Sequence, residues 1–139
     1  MKIALINPPS PFLLDDRVFP TLGILQVATV LEEAGHEVRV LDLGGVGDYL
    51  NMIAEAARDS YGCWGLTATT PQFPAAVVIL QTIREHDPGK RVIIGGPHAT
   101  VMPESCSAFD CVIQGDGEEA VLNAILQSAP AILDYATNT

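Results

Sequence analysis

Basic residues are what this sequence runs short of. Beyond Arg91 there is no lysine or arginine, while Glu104, Asp110, Asp116, Glu118, Glu119 and Asp134 add six carboxylates. The formal net charge is −10 and the pI is about 4.4. Such a surface repels phosphate backbones, which sets nucleic acid aside as a partner. Long apolar runs are also missing: none reaches the ~18 residues that a membrane span requires. The opening stretch from Met1 to Asn7 stops at Pro8-Pro9 without a small-residue cleavage site, so it reads as a first strand rather than a signal peptide. Cysteines are few and odd in number: Cys63, Cys106 and Cys111. No third or fourth ligand follows Cys106 and Cys111 at metal spacing. They read as buried thiols, which suits a reducing cytoplasm.

The common cofactor signatures are absent as well. A dinucleotide fold wants Gly-x-Gly-x-x-Gly after its first strand, where this chain has Asn7-Pro8-Pro9-Ser10-Pro11. Gly44-Gly45-Val46-Gly47 follows the second strand and lacks the third spacing. No phosphate loop ends in Gly-Lys-Ser/Thr. A phosphoacceptor domain needs an acidic pair directly after strand one and an aspartate after strand three. Asp15 and Asp16 come too late, and strand three ends in threonine. No Ser-His-Asp set, paired-carboxylate site or metal cage is visible, so this chain is not expected to catalyse a reaction by itself. There is no internal repeat.

What is present is a regular alternation. At 139 residues with 48% hydrophobic and 17% charged content, the chain is one domain by length and can bury roughly 68% of its unfolded surface. Strands are expected over Lys2 to Ile6, His36 to Leu41, Gly62 to Leu66, Arg91 to Ile94 and Phe109 to Ile113. Their near-continuous apolar character fits burial on both faces of a parallel sheet. A helix is expected from Pro20 to about Ala34, with Ile24, Val27, Ala28, Leu31 and Ala34 inward and Gly35 ending it. Asp48 suits the cap of a second helix, with Tyr49, Met52, Ile53 and Ala56 on one stripe. Thr70 suits the cap, and Pro71 the first turn, of a third helix that reaches His86. A short helical turn is expected at Pro103-Glu104-Ser105. A last helix after Gly117 carries Val121, Ala124 and Ile125 inward. The result is an α/β, three-layer Rossmann-like (flavodoxin-like) fold: a five-stranded parallel sheet of order 2-1-3-4-5 with helices on both faces. Residues 1–129 would form the domain and residues 130–139 a linker or tail.

In such a sheet, ligands sit at the carboxyl edge, at the switch point between strands one and three. The exits there are distinctive. The first is a long proline-rich loop from Asn7 to Phe19, of a length that is usually functional. The third carries Thr67, Thr69 and Thr70, which can donate and accept hydrogen bonds. The fourth, Val92-Ile93-Ile94-Gly95-Gly96-Pro97-His98-Ala99-Thr100, ends a β-branched strand in two glycines that let something large approach the backbone. The fifth opens with Gly115-Asp116-Gly117-Glu118-Glu119. Small residues beside neutral hydrogen-bonding groups suit an uncharged heterocycle or the amides of a large ring.

Taken in order, Pro20-Thr21-Leu22-Gly23-Ile24, Ala34-Gly35-His36-Glu37-Val38, Gly65-Leu66-Thr67-Ala68-Thr69, Gly95-Gly96-Pro97-His98-Ala99-Thr100, Pro103-Glu104 and Gly115-Asp116-Gly117-Glu118-Glu119 resemble the cobalamin-binding domain at the front of radical S-adenosylmethionine enzymes. The resemblance covers about residues 1–127. It implies a corrin ring over the carboxyl ends of the strands and a dimethylbenzimidazole tail between the sheet and a helix. By position it assigns Thr67 and Thr69 to the hydroxyl motif near the tail, and Gly95 and Gly96 to the room the tail needs; Thr70, beside them, is a further candidate for binding the cofactor as well as a helix cap. Pro8, Pro9, Pro97, His98, Ala99, Thr100, Gly115, Asp116, Gly117 and Glu118 would border the ring or its amides. On this placement Gly96→Val should abolish corrinoid retention at little cost in stability.

Two departures refine what the resemblance implies. Cobalamin domains of mutases and methionine synthase carry Asp-x-His-x-x-Gly after strand one, whose histidine binds cobalt; here no histidine precedes His36. Cobalt is therefore expected without a histidine from that loop, and His98 is expected to bond a ring amide or a backbone group. The Cys-x-x-x-Cys-x-x-Cys of the radical half is also absent. S-adenosylmethionine and the 4Fe-4S cluster would belong to a separate catalytic domain, in cis or in trans, of a methyltransferase or oxidative cyclase. The chain is then either an excised front domain or a cobalamin module alone. Two other readings stay open: a flavodoxin-like domain for another cofactor or nucleotide, and an interaction module without a ligand.

Overall fold

The computed structural model describes residues 1–10, 22–115, 121 and 131–134. The described elements are β1 (Lys2–Asn7), α1 (Leu22–Glu33), β2 (Glu37–Asp42), α2 (Tyr49–Ala57), β3 (Cys63–Thr67), α3 (Phe73–His86), β4 (Arg91–Gly95), α4 (Pro97–Val101), a 3-10 turn (Pro103–Cys106), β5 (Cys111–Gln114) and β6 (Ala131–Asp134). All strand pairs are parallel, in the order β2-β1-β3-β4-β5-β6. The expected 2-1-3-4-5 order with helices on both faces is thus the frame of the molecule. Strands β1, β3 and β4 are apolar on both faces, as interior parallel strands must be. Strand β2 alternates Glu37-Val38-Arg39-Val40-Leu41-Asp42 and is exposed at every second residue until Leu41, which suits an edge.

The sixth strand corrects the expectation of a linker from residue 130. Ala131 to Asp134 lie in register with Cys111 to Gln114. Ala-Ile-Leu is too short an apolar run to announce a strand. It is recruited because β5 would otherwise leave its outer row of backbone groups unpaired.

Local chemistry explains the other differences. Helix α3 starts at Phe73, not Pro71. A start at Pro71 would put Pro74 where the first intrahelical N–H is needed, and proline has none. Thr69 to Gln72 instead form a turn, with the Gln72 and Phe73 N–H groups donating to Thr69 O (3.1 Å) and Thr70 O (3.2 Å). Asp48 precedes α2 without capping its backbone; its carboxylate accepts from Asn51 Nδ2 at 2.9 and 3.0 Å. Ala34 is exposed. Pro97 to Val101, expected as loop, form the short helix α4. Pro20 and Thr21 and most of the last expected helix lie outside the described residues; Val121 is helical and buried.

The two faces of the sheet are packed differently. Helices α2 and α3 cover one face with Ile53, Ala56, Ala76, Ile79, Leu80 and Ile83, joined by Ala99 of α4. Trp64 is fully buried there, edge-on to Tyr61 with ring centroids 5.1 Å apart. Its indole N–H donates to Asp87 at 3.0 Å, fixing the end of α3 beneath β3. The other face carries α1 through Ile24, Ala28 and Leu31 against Ile3, Leu5, Ile93 and Ile113. Ile79 has no exposed surface, so Ile79→Ala should lower unfolding free energy by about 2–5 kcal/mol in urea titration. A loss under about 1 kcal/mol would contradict the α3 packing described here.

Candidate functional site

The strand register builds the site. On the α1 face, Leu5 of β1 lies beside Gly65 of β3, Gly65 beside Ile93 of β4, and Thr67 beside Gly95. Side chains alternate along a strand, so Cys63, Gly65 and Thr67 share this face with Ile93 and Gly95. Two of these positions carry no side chain. Gly65 consequently stays half-exposed although it lies in an interior strand. A cavity of about 320 Å³ opens between α1 and the sheet at these glycines. Its lining reaches from Thr67, Gly95, Gly96, Pro97 and Gly115 at the carboxyl edge to Ile3 and Cys63 at the far end, with Gly23, Ile24 and Val27 of α1 as its roof. From Cys63 to Thr67 it runs alongside β3 for about 13 Å at ~3.3 Å per residue.

The two adjacent glycines differ. A Cβ on Gly95 would meet Ile113 at 3.6 Å, an ordinary contact. Gly96 has φ +95°, and a Cβ there would lie 2.5 Å from Thr67 Oγ1 and 3.0 Å from the Ala68 nitrogen. Gly95 leaves space in the cavity; Gly96 is a backbone pivot pressed on the β3 exit. The expected low stability cost of Gly96→Val is therefore corrected.

Hydrogen bonds knit the rim. The Ala68 N–H donates to Gly95 O (3.3 Å) and the His98 N–H to Ala68 O (3.0 Å), joining the exits of β3 and β4. The Thr100 hydroxyl donates to Gly96 O and accepts from the Gly115 N–H, both at 2.9 Å, joining the exits of β4 and β5. Gln72 joins the exits of β1 and β3. Its amide donates to Asn7 Oδ1 (2.9 Å) and Pro8 O (2.7 Å), and its carbonyl accepts from the Thr69 N–H (2.8 Å) and hydroxyl (3.2 Å). Asn7 passes the link on to Asp42 at 3.0 Å.

His98 is buried and stacked on Phe73, with ring centroids 4.0 Å apart. The Ser105 hydroxyl donates to Met102 O at 2.7 Å, so it accepts from His98 Nε2 at 2.8 Å. Nδ1 then accepts from the Thr70 hydroxyl at 3.1 Å. Both ring nitrogens are used within the chain, which makes His98 a brace rather than a group free for a ring amide.

The structure brings Thr67, Gly95, Gly96, Pro97 and Gly115 together around the cavity. Thr69 and Thr70 are exposed on the rim above it, Pro8 and Pro9 lie at the β1 exit, Thr100 ties the rim, and Ala99 is buried on the opposite face. Asp116, Gly117 and Glu118 lie outside the described residues. Sequence reasoning missed Gly65 and Gln72 as site residues. A glycine inside a strand was an available signal of close approach; a glutamine in a turn carries none.

Residues 16–125 match the B12 binding domain family. The chain is similar, at 30% identity over 128 residues, to an uncharacterized methyltransferase of Pyrococcus horikoshii, covering 85% of this chain and 27% of that protein. It is 28% identical over 146 residues to the cytidylyl-2-hydroxyethylphosphonate methyltransferase of Streptomyces wedmorensis, covering 87% and 27%. Its fold matches, at TM-score 0.76 and 22% identity, the radical S-adenosylmethionine methyltransferase TsrM from Kitasatospora setae, solved with cobalamin and a 4Fe-4S cluster bound, over 90% of this chain and 24% of that one. The chain thus spans about a quarter of the length of the curated relatives it matches.

Two outcomes follow from this geometry. Gly96→Val should cost more than about 1 kcal/mol, since it joins a clash to an unfavourable φ; an unchanged denaturant midpoint would refute the pivot. Burial pushes the Cys63 thiol up to about 12. The native state therefore keeps this proton longer than the unfolded chain does. Its contribution is complete below about pH 9 and is lost as pH rises toward 12. Denaturant midpoints measured across that window should fall, and fall less in Cys63→Ala.

Proposed function

The chain belongs to the B12 binding domain family, cobalamin is its cofactor, and we propose that the cavity beside Gly65 and Gly95 takes the cofactor's nucleotide tail while the carboxyl edge of the sheet carries the corrin ring. The observation that carries this reading is the bare strip of β3 and β4 beneath α1, open at the rim and lined by apolar side chains. A bulky, mostly uncharged tail needs such room.

In this reading Gly65 and Gly95 admit the tail, Thr67 bonds it at the mouth, and α1 closes over it. Pro8, Thr69, Pro97 and Gly115 border the ring, with Gln72, Thr100 and His98 holding those borders in place. Pro9, Thr70, Asp116, Gly117 and Glu118 complete the proposed border of the site. Bound cobalamin supplies cobalt-centred methyl or electron transfer. The chain's own residues bind and orient it. His98 is committed to Thr70 and Ser105, which supports cobalt without a histidine ligand from these exits.

The partner that fits is a radical S-adenosylmethionine catalytic domain, in cis or in trans, carrying the 4Fe-4S cluster and serving a methyltransferase or oxidative cyclase. The names of the relatives and the share of their length that this chain spans support it. The binding unit extends through β6 to Asp134, past the boundary at residue 129, because β6 is paired with β5. A reducing cytoplasm is the compartment that suits three free, buried cysteines. Among the described residues no helix is long and apolar enough to cross a membrane.

The test is to mix the protein with hydroxocobalamin, desalt it and read the visible spectrum. Retained corrinoid is expected. Gly95→Val should weaken retention at least about tenfold, or ~1.4 kcal/mol, while moving stability by less than about 1 kcal/mol, because its Cβ meets Ile113 without strain. No retention by the unaltered protein at high micromolar concentration, or retention of flavin or nucleotide instead, would defeat the proposal. Normal retention by Gly95→Val would move the tail elsewhere.

A further inference from the structure

The polar groups of the cavity are not evenly spread. Thr67 stands at the mouth, and Gln26 lies exposed on α1 at the outer margin. Farther along β3, the described lining is Ile3, Leu5, Cys63 and Ile93, roofed by Ile24 and Val27. Five of these, Ile3, Leu5, Cys63, Ile93 and Ile24, are buried members of the core on this face. Cys63 adds a thiol whose Sγ leans on the Trp64 carbonyl at 3.8 Å, a weak donor at best. A group that comes to rest at this end exchanges water for hydrocarbon.

Resting on the corrinoid reading above, we infer that this inner half of the cavity selects the base at the end of the corrinoid tail, accepting benzimidazole or phenolic bases and discriminating against purines. The two kinds of bicyclic base are both flat and similar in size, so shape does not separate them. Polarity does. Attached to ribose through one ring nitrogen, dimethylbenzimidazole keeps one other ring nitrogen. Adenine keeps three and adds an exocyclic amine. Each polar atom pressed against Ile3, Leu5, Ile93 or Val27 gives up its hydrogen bond to water and gains none from them. The methyl groups of dimethylbenzimidazole gain by the same transfer. A phenolic base such as cresol has no ring nitrogen to strand.

Equilibrium dialysis of the full chain, read by corrin absorbance, tests this with four cobamides: cobalamin, the adeninyl and cresolyl analogues, and cobinamide, which lacks the tail. Cobalamin should bind at least about tenfold tighter than the adeninyl analogue, a difference of ~1.4 kcal/mol, and the cresolyl analogue should bind within about threefold of cobalamin. Equal binding of the adeninyl analogue and cobalamin would overturn the selection and leave the corrinoid reading intact. Cobinamide binding as well as cobalamin would overturn it too, by showing that the tail stays outside. Failure to retain any of the four would overturn the corrinoid reading itself.

Discussion

The structure depends on a gap that is kept open. Helices normally lie on sheets with side chains filling the space between them to crystal-like density. Here β3 and β4 withhold side chains at Gly65 and Gly95, on the face that α1 covers. Leu5 leans its Cδ2 over Gly65, 2.8 Å from where a Cβ there would lie, while Ile113 stays 3.6 Å from the same point on Gly95, so the space is narrowed but not filled. A vacancy in a core is ordinarily a cost that scales with its volume. A chain that keeps one at the centre of its sheet must find its stability elsewhere, and the remainder of the molecule is arranged accordingly.

Part of that stability lies on the opposite face. Trp64, Leu66, Val92 and Ile94 alternate with the cavity-facing residues of the same strands and pack against α2 and α3 with almost no exposure. Each central strand therefore anchors itself with its odd or even set and leaves the other set for the cavity. The remainder lies in the polar rim. Gln72 uses both amide donors and its carbonyl to tie two loops. Thr100 uses its hydroxyl as donor and acceptor to tie two more. A network whose members are all satisfied rigidifies its surroundings, whereas an incomplete one destabilises them. These loops meet the ligand in the proposed reading, so their fixed geometry reduces the ordering that binding would otherwise require.

How much of this could be read beforehand follows the physics of each signal. Strands β1, β3, β4 and β5 were legible because parallel strands buried on both faces are written as continuous apolar runs. The end of α1 was legible in Gly35, whose φ of +95° is a glycine conformation. The start of α3 was not, because two prolines competed and only tertiary context chose between them. Strand β6 was not, because its identity lies in the partner edge of β5 rather than in Ala-Ile-Leu-Asp. In the site, the diglycine was legible as an element but not in its division of labour. Strand alternation gives Gly95 to the cavity and leaves Gly96 to turn the chain, and that distinction needs the register with Thr67. Gly65 was overlooked because a lone glycine in a strand is a quieter signal than a pair. His98 looked like a ligand-facing loop residue, yet Ser105 and Thr70 claim both nitrogens through contacts that sequence separation conceals.

The same gap makes α1 a helix with two unequal halves. Toward its end, Ala28 and Leu31 are buried against the sheet and Gly35 closes the last turn. Toward its start, Gly23, Ile24 and Val27 look onto the cavity. The contacts missing beneath that first half are those an occupant would provide. An occupant that binds the folded chain alone adds stability by mass action, ~2.7 kcal/mol at a concentration one hundred times its Kd. Against a typical total of about 5–15 kcal/mol for a domain, that is a substantial share. In the proposed reading it is gained where the sequence has withheld side chains, so the ligand would complete the core of the α1 face as well as occupy a site.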